Sequence, residues 1–327
     1  RRVFEYEALG LDPWRTDVGS EQMQRWSGER QTRRAGPPPR PGQVGPRAPV
    51  VYSVSALERY QDCAFKFFAQ DVLRLEEPVV DEVHLSPRSR GRFIHEVFQR
   101  FFEAWQARHG GRIDTSQLSE ARSLFDEVSA PLLARLSPAD ARLERLRLFG
   151  SAIAVGVVDV VLGLEAERRV EIRERMLEHR FEGAFTLGAD DGWSMTINGV
   201  ADRIDLLDGH RLRVIDYKSG SAPDPKRALQ VSVYALCAQE ELAETRGERW
   251  EVDEAAYVAF SGKRALQRVI TPDRAHAGEV LDATRERVRG LVAAIEAGHF
   301  PVKPHELRIC SYCAYAPVCR KDYVGDE

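Results

Sequence analysis

The chain has 327 residues, 43% hydrophobic and 30% charged, with a formal net charge of −4 and five cysteines. That length buries one large core or two smaller ones, and the charge balance excludes a protein that coats nucleic acid electrostatically. No apolar run approaches a membrane span, the longest, AIAVGVVDVVLGL, being broken by Asp159, so the expectation is a soluble cytoplasmic enzyme with no membrane partner.

In chain order, residues 1–27, which do not begin with methionine, read as the remnant of a preceding region. Residues 28–50, rich in Pro, Gly and Arg and including Pro37-Pro38-Pro39, read as a linker. A globular domain is expected over 51–322. Ser55-x-x-Glu58 predicts a capping box opening a helix that carries Cys63. In RGRFIHEVFQRFFEAW, residues Phe93, Ile94, Val97, Phe98, Phe101, Phe102 and Trp105 make a broad apolar helical stripe with His95 at its border, and Gly110-Gly111 stops the helix. Residues 116–168 read as helices inserted before a sheet, and Glu171 to Leu187 alternates as a strand. After a hairpin over 199–220 come a helix with Gln230 and Tyr234, a strand over Glu251 to Phe260, a helix near 273–297, and a cysteine triplet. There is no internal repeat. No G-x-x-x-x-G-K-[ST] occurs, Gly262-Lys263 being followed by Arg264, so the chain encodes no phosphate-cradling motor loop.

The hairpin GVADRIDLLDGHRLRVIDYKSG carries the chemistry. Leu212 to Lys218 alternates like a half-buried strand, so Asp216 and Lys218 project from one face. If Asp208-Gly209-His210 is a three-residue loop with Gly209 or His210 at positive φ, Leu207 faces Arg211 and Asp202 comes opposite Asp216. A two-residue loop would place Asp202 opposite Ile215 instead. Adjacent carboxylates repel unless a hard cation lies between them, and Mg²⁺ takes one or two carboxylates with water and phosphate oxygens. A neighbouring lysine then orients water and meets charge developing on the phosphate. Without further support, Asp202, Arg203 and Asp205 would read as ordinary surface charges.

The second signal is Cys310-x2-Cys313-x5-Cys319 together with the distant Cys63. Four thiolates satisfy either tetrahedral zinc or an iron–sulfur cube, and spacing alone does not choose. Cys237 lies on an apolar helix side with Val233 and Leu236 and reads as a small buried hydrophobe.

The G-x-x-D strand, the D-Y-K strand and the following Q-x-x-x-Y helix resemble the RecB-like branch of the PD-(D/E)xK nuclease superfamily. The resemblance covers roughly residues 51–322. It implies an α/β, restriction-endonuclease-like core, a central mixed sheet flanked by helices, with a helical insertion and a C-terminal Fe–S clip. It makes His95, Asp202, Asp216 and the Tyr217 carbonyl ligands of Mg²⁺, for which Mn²⁺ could substitute. Glu178, for which Glu182 could be mistaken, matches the family's carboxylate on the preceding strand. Lys218 positions water, and Gln230 and Tyr234 act near the metal and the DNA backbone. AddB-type helicase–nucleases and related CRISPR spacer-acquisition nucleases carry one cysteine before the core and a C-terminal triplet, which implies a 4Fe–4S cluster on Cys63, Cys310, Cys313 and Cys319.

The function so implied is a Mg²⁺-dependent DNA nuclease or exonuclease domain in double-strand-break end processing and recombinational repair. Its partners would be DNA, single-stranded or at ends, and a helicase subunit or helicase domains of the same polypeptide. Arg88, Arg90 and Arg92 ahead of the His95 helix, and Lys226 and Arg227 opening the Gln230 helix, offer a track for the DNA backbone. The alternatives are a standalone CRISPR-associated-type Fe–S exonuclease and a non-catalytic module that binds DNA ends or a partner.

Overall fold

A computed structural model describes residues 51–77, 84–168, 170–187, 192–261, 265–319 and 321. The segments read as remnant and linker, 1–27 and 28–50, lie outside the described residues. Two compact units emerge within the expected domain, one of residues 51–55 and 79–287, the other of residues 56–78 and 288 onward.

The larger unit is built on a five-stranded sheet: β3 (Ile172–Thr186), β4 (Ser194–Leu207), β5 (Arg211–Lys218), β6 (Glu251–Ala259) and β7 (Leu266–Ile270), in that spatial order. Neighbours are antiparallel except β5 and β6, which run parallel and are joined through helix α7 (Gln230–Arg246). Helices flank this mixed sheet, the restriction-endonuclease-like arrangement expected from the sequence. A two-stranded ribbon, β1 (Gly150–Ser151) with β2 (Ala154–Val155), lies among the helices that precede it.

Helix α3 (Pro87–His109) forms because Ser86 accepts a hydrogen bond from the Ser89 amide, Pro87 suits the first turn, and its apolar residues recur at helical spacing. The buried stripe from Phe93 to Trp105 packs with residues of α4 (Leu118–Leu133), α5 (Pro138–Phe149) and α6 (Val157–Glu167). Ile215, Tyr217, Ala256 and Val258 of the sheet complete that core. Helix α7 buries Val231 to Ala238 almost without interruption, as a helix covered on all sides does.

Three expectations are corrected here. Strand β5 is third of five and buried from Leu212 to Tyr217, so it is covered on both faces rather than half-buried. Arg88, Arg90 and Arg92 lie inside α3, because Ser86 and Pro87 start it earlier; Arg90 is bonded to Glu144 (3.1 Å). Lys226 and Arg227 belong to a turn before α7, which begins at Gln230.

The smaller unit contains most of α1 (Val54–Asp62), α2 (Ala64–Phe67) with a π-turn over Phe68–Val72, the end of α8 (Arg274–Glu296), and the C-terminal 3₁₀ turns Leu307–Tyr312 and Ala316–Val318. Phe300 stacks on Phe67 and Phe68 and meets Tyr60 edge-on. Cys63 does not lie within a helix. It is extended (φ −162°, ψ 109°), breaks the chain between α1 and α2, and forms a β-bridge with Pro304.

Candidate active site

The hairpin register is set by its turn. Asp208-Gly209-His210 is a three-residue connection in which Gly209 (φ 74°) and His210 (φ 52°) are both left-handed. Leu207 therefore pairs with Arg211, and the ladder runs back to Arg203 opposite Ile215. One step further stand Asp202 and Asp216, where β4 and β5 part. There the amide of Tyr217 donates to Asp202 Oδ2 (2.8 Å). Asp202 thus closes the ladder with its own side chain.

On the other side of Asp202, β3 pairs with β4 through Leu177–Arg203 and His179–Ala201, which leaves Glu178 level with Asp202. Glu178 interrupts the strand with φ 47°, a left-handed conformation that a residue with a side chain adopts at a cost of roughly 1–3 kcal/mol. From α3, His95 reaches the same point: Nδ1 lies 3.3 Å from Asp202 Oδ1, and Nε2 is 2.9 Å from the Tyr217 carbonyl oxygen. One ligand-type atom each from His95, Glu178 and Asp202 falls within 4.8 Å of the others. Glu182, the residue that could be mistaken for Glu178, is exposed.

Asp216 is buried beside this group without belonging to it. Its Oδ2 pairs with Lys218 Nζ at 2.8 Å, and the same ammonium donates to Gln230 Oε1 at 2.8 Å. Asp216 and Lys218 thus share a face, as alternation requires, and Gln230 on the first turn of α7 holds the lysine from above. One helical turn on, the Tyr234 ring stacks on Phe181 (centroids 5.6 Å apart) and lies over the backbone of Gly199.

Burial raises the pKa of all three carboxylates. At Asp202, well above its ordinary value, the charges of Asp216 and Glu178 add to the effect of burial, and at Glu178 that of Asp216 does. Asp216 is raised by burial despite Lys218 and His95. Three acids that resist ionisation beside an imidazole form a pocket that a divalent cation would relieve.

Behind the pocket lies a group that reading the sequence did not recognise. Arg203 and Asp205, which could pass for surface charges, are fully buried with Arg213, Arg175 and Glu165. Arg203 grips Asp205 (2.7 and 2.7 Å) and Glu165 (3.1 and 2.8 Å), while Arg213 Nε donates to Asp205 Oδ2 (2.8 Å). The Phe102 ring lies beneath the Arg203 and Arg175 guanidiniums (4.3 and 4.7 Å). The available signal was the recurrence of charges two apart on paired strands, Arg203-x-Asp205 facing Arg213, which puts them on one face.

All four cysteines of the predicted cluster converge in the smaller unit. Cys63, Cys310, Cys313 and Cys319 line one cavity of about 100 Å³ with Lys66 and Lys321. Burial pushes the Cys63 and Cys319 thiols up, and the neighbouring sulfurs add to this. Cys237 is buried in α7.

At the end of the β4–β5 ladder, one imidazole and two carboxylates offer donors of the kind a divalent metal takes, with a lysine and a third carboxylate beside them. The sequence profile of the PD-(D/E)XK nuclease superfamily matches residues 51–320, and the chain belongs to that superfamily. It is similar to a subunit of the ATP-dependent helicase/deoxyribonuclease of Streptococcus agalactiae (30% identity, covering 53% of this chain and 14% of that protein). The equivalent protein of Moorella thermoacetica, which carries the same name, is 28% identical over 75% of this chain and 22% of its own length. The chain therefore spans less than a quarter of the length of these curated relatives. Among solved structures, that of SSO0001 matches 72% of this chain at 14% identity and a TM-score of 0.28, a likeness too slight to carry any argument.

Proposed function

We propose that this chain is the divalent-cation-dependent nuclease domain of a helicase–nuclease, hydrolysing DNA phosphodiesters during end processing and recombinational repair. The observation that carries the reading is the convergence of His95, Glu178 and Asp202 within 4.8 Å beside the Asp216–Lys218 pair. The names of the relatives support DNA as substrate and a helicase as partner.

The donor set, carboxylate oxygens and one imidazole, suits Mg²⁺ or Mn²⁺. His95, Glu178 and Asp202 would hold the ion, with Asp216 and the Tyr217 carbonyl as the adjoining oxygens. A bound cation supplies Lewis acidity to the phosphate and lowers the pKa of water. The protein's own part is positioning. Lys218 has three N–H groups, two of them directed at Asp216 and Gln230; the third is available to an attacking water or a non-bridging phosphate oxygen. Gln230 keeps the ammonium from folding away, and Tyr234, whose pKa burial and then Asp216 raise, lies beside β4 with its hydroxyl at the Val200 backbone.

The cysteines also suit a 4Fe–4S cluster. Their four sulfurs line one cavity, which gives one thiolate for each iron of a cube. Lys66 and Lys321 provide positive charge next to the thiolates. The cluster would tie the α1–α2 junction to the C-terminal turns.

The test is digestion of end-labelled single- and double-stranded DNA by the purified protein with Mg²⁺ or with chelator. Cleavage is expected only with Mg²⁺, abolished by Asp216→Ala and by Lys218→Ala, with the lysine variant still binding the cation. Full cleavage by Asp216→Ala at saturating Mg²⁺ would sink the assignment.

A further inference from the structure

Arg203 and Tyr217 occupy the two strands at the point where their ladder ends. Arg203 follows Asp202 directly, and Tyr217 lies between Asp216 and Lys218. Their side chains meet across the strands on the sheet face opposite Asp216: Arg203 Nη1 donates to the Tyr217 hydroxyl at 3.2 Å. The backbone of Tyr217 in turn makes two contacts with the site, its amide donating to Asp202 Oδ2 (2.8 Å) and its carbonyl accepting from His95 Nε2 (2.9 Å).

The guanidinium is itself immobilised. Glu165 of α6 and Asp205 of β4 each clamp it with two oxygens, Phe102 of α3 lies beneath it, and it is fully buried. The Tyr217 ring is held flat against Phe98 of α3 (centroids 4.8 Å apart, 11° between planes). Two elements outside the sheet thus fix the hydroxyl contact from both ends. The paired register of β4 and β5 ends at Arg203–Ile215. Just past it, Asp202 bonds across to the Tyr217 amide on one face, and Arg203 bonds to the Tyr217 hydroxyl on the other.

We infer that Arg203 and Tyr217 are a positioning pair, which sets the distance between Asp202 and Asp216 and the aim of the Tyr217 carbonyl at the cation site. This rests on the metal-dependent reading above. A buried ionic group of this kind could instead serve stability alone. The two roles separate because Arg203 is hydrogen-bonded to the Tyr217 hydroxyl, whereas the hydrogen bonds of Arg213 go to Asp205.

The experiment uses the whole chain and three variants, Tyr217→Phe, Arg203→Lys and Arg213→Lys. Mn²⁺ binding is measured by calorimetry, melting temperature without metal, and DNA cleavage against Mg²⁺ concentration. Tyr217→Phe removes one hydroxyl and keeps the ring stack, so it remains informative if Arg203→Lys fails to fold. It should melt within a few degrees of wild type, bind Mn²⁺ on the order of ten-fold more weakly, and lower kcat at saturating Mg²⁺ by a similar factor, as small misplacements do. Arg213→Lys should lower the melting temperature and leave Mn²⁺ affinity unchanged. Wild-type Mn²⁺ affinity and kcat in Tyr217→Phe would overturn the inference, as would equal weakening in Arg213→Lys. A wild-type protein that binds Mn²⁺ but cuts no DNA would end the nuclease reading and leave the affinity comparison to decide this one. A wild type that binds no Mn²⁺ would overturn both.

Discussion

Gly199 lies directly beneath Tyr234: a Cβ added to Gly199 would sit 2.6 Å from the tyrosine hydroxyl oxygen and 2.9 Å from the ring edge. The missing side chain is what lets α7 bring Tyr234 down onto β4, three residues before Asp202. Gly199→Ala should destabilise the domain by about 1–3 kcal/mol through overpacking. Combining it with Tyr234→Ala should recover most of that loss, giving a coupling of roughly 1 kcal/mol or more in a double-mutant cycle followed by urea unfolding. Strict additivity would mean that the two residues do not meet.

The left-handed Glu178 places local strain at the proposed ligand. Glu178→Gly removes both the strain and the carboxylate. Without metal, this variant should be at least as stable as wild type, with a gain of up to about 1–3 kcal/mol, while the stabilisation by Mg²⁺ should largely vanish. Calorimetric melts with and without Mg²⁺ read both effects. A variant that is less stable without metal and still stabilised by it would remove the carboxylate from the site.

The raised pKa values of Asp202, Asp216 and Glu178 set the sign of a pH effect. The folded state binds their protons more tightly than the unfolded chain, so this stability is full below the ordinary carboxylate range and lost as pH rises through the raised values. Asp205 behaves oppositely. Burial acts to raise it, but Arg203, Arg213 and Arg175 outweigh burial and hold it at about 2, so its contribution is present above the ordinary range and lost as pH falls toward 2. Metal-free protein should therefore lose melting temperature as pH climbs from the mildly acidic range, and Mg²⁺ should restore it. The shift caused by Mg²⁺ should be larger at about pH 8 than at about pH 5; equal shifts would count against carboxylates that exchange protons for metal.

Cys63 lies far along the chain from the three cysteines it meets. Cys63→Ser should lower bound iron well below the roughly four atoms per chain of an intact cluster, bleach the absorbance near ~400 nm, and reduce stability. Cys237→Ser, in α7, should leave the iron content as it is. One zinc and no sulfide in anaerobically purified wild type would replace the cluster with a zinc clip.

The sequence by itself determined the hairpin and narrowed its register to two alternatives, because loop length selects the partner of every residue behind the loop; the structure took the three-residue one, with Gly209 and His210 both left-handed. It likewise determined that Asp216 and Lys218 share a face, as do Gln230 and Tyr234, since spacings of two in a strand and four in a helix place side chains together. The tertiary structure decided the rest. Alternation identifies the faces of β5 but not that helices cover both, and so Arg203, Asp205 and Arg213 look like solvent-facing charges until α6 brings Glu165 to them. The short β7, Leu266–Ile270, has too few residues to show a period and exists because β6 offers it an edge. No local propensity sets Glu178 in a left-handed conformation; that position, level with Asp202, is visible only in the folded sheet. Likewise His95 meets Asp202 only because the helix that carries it packs over the sheet.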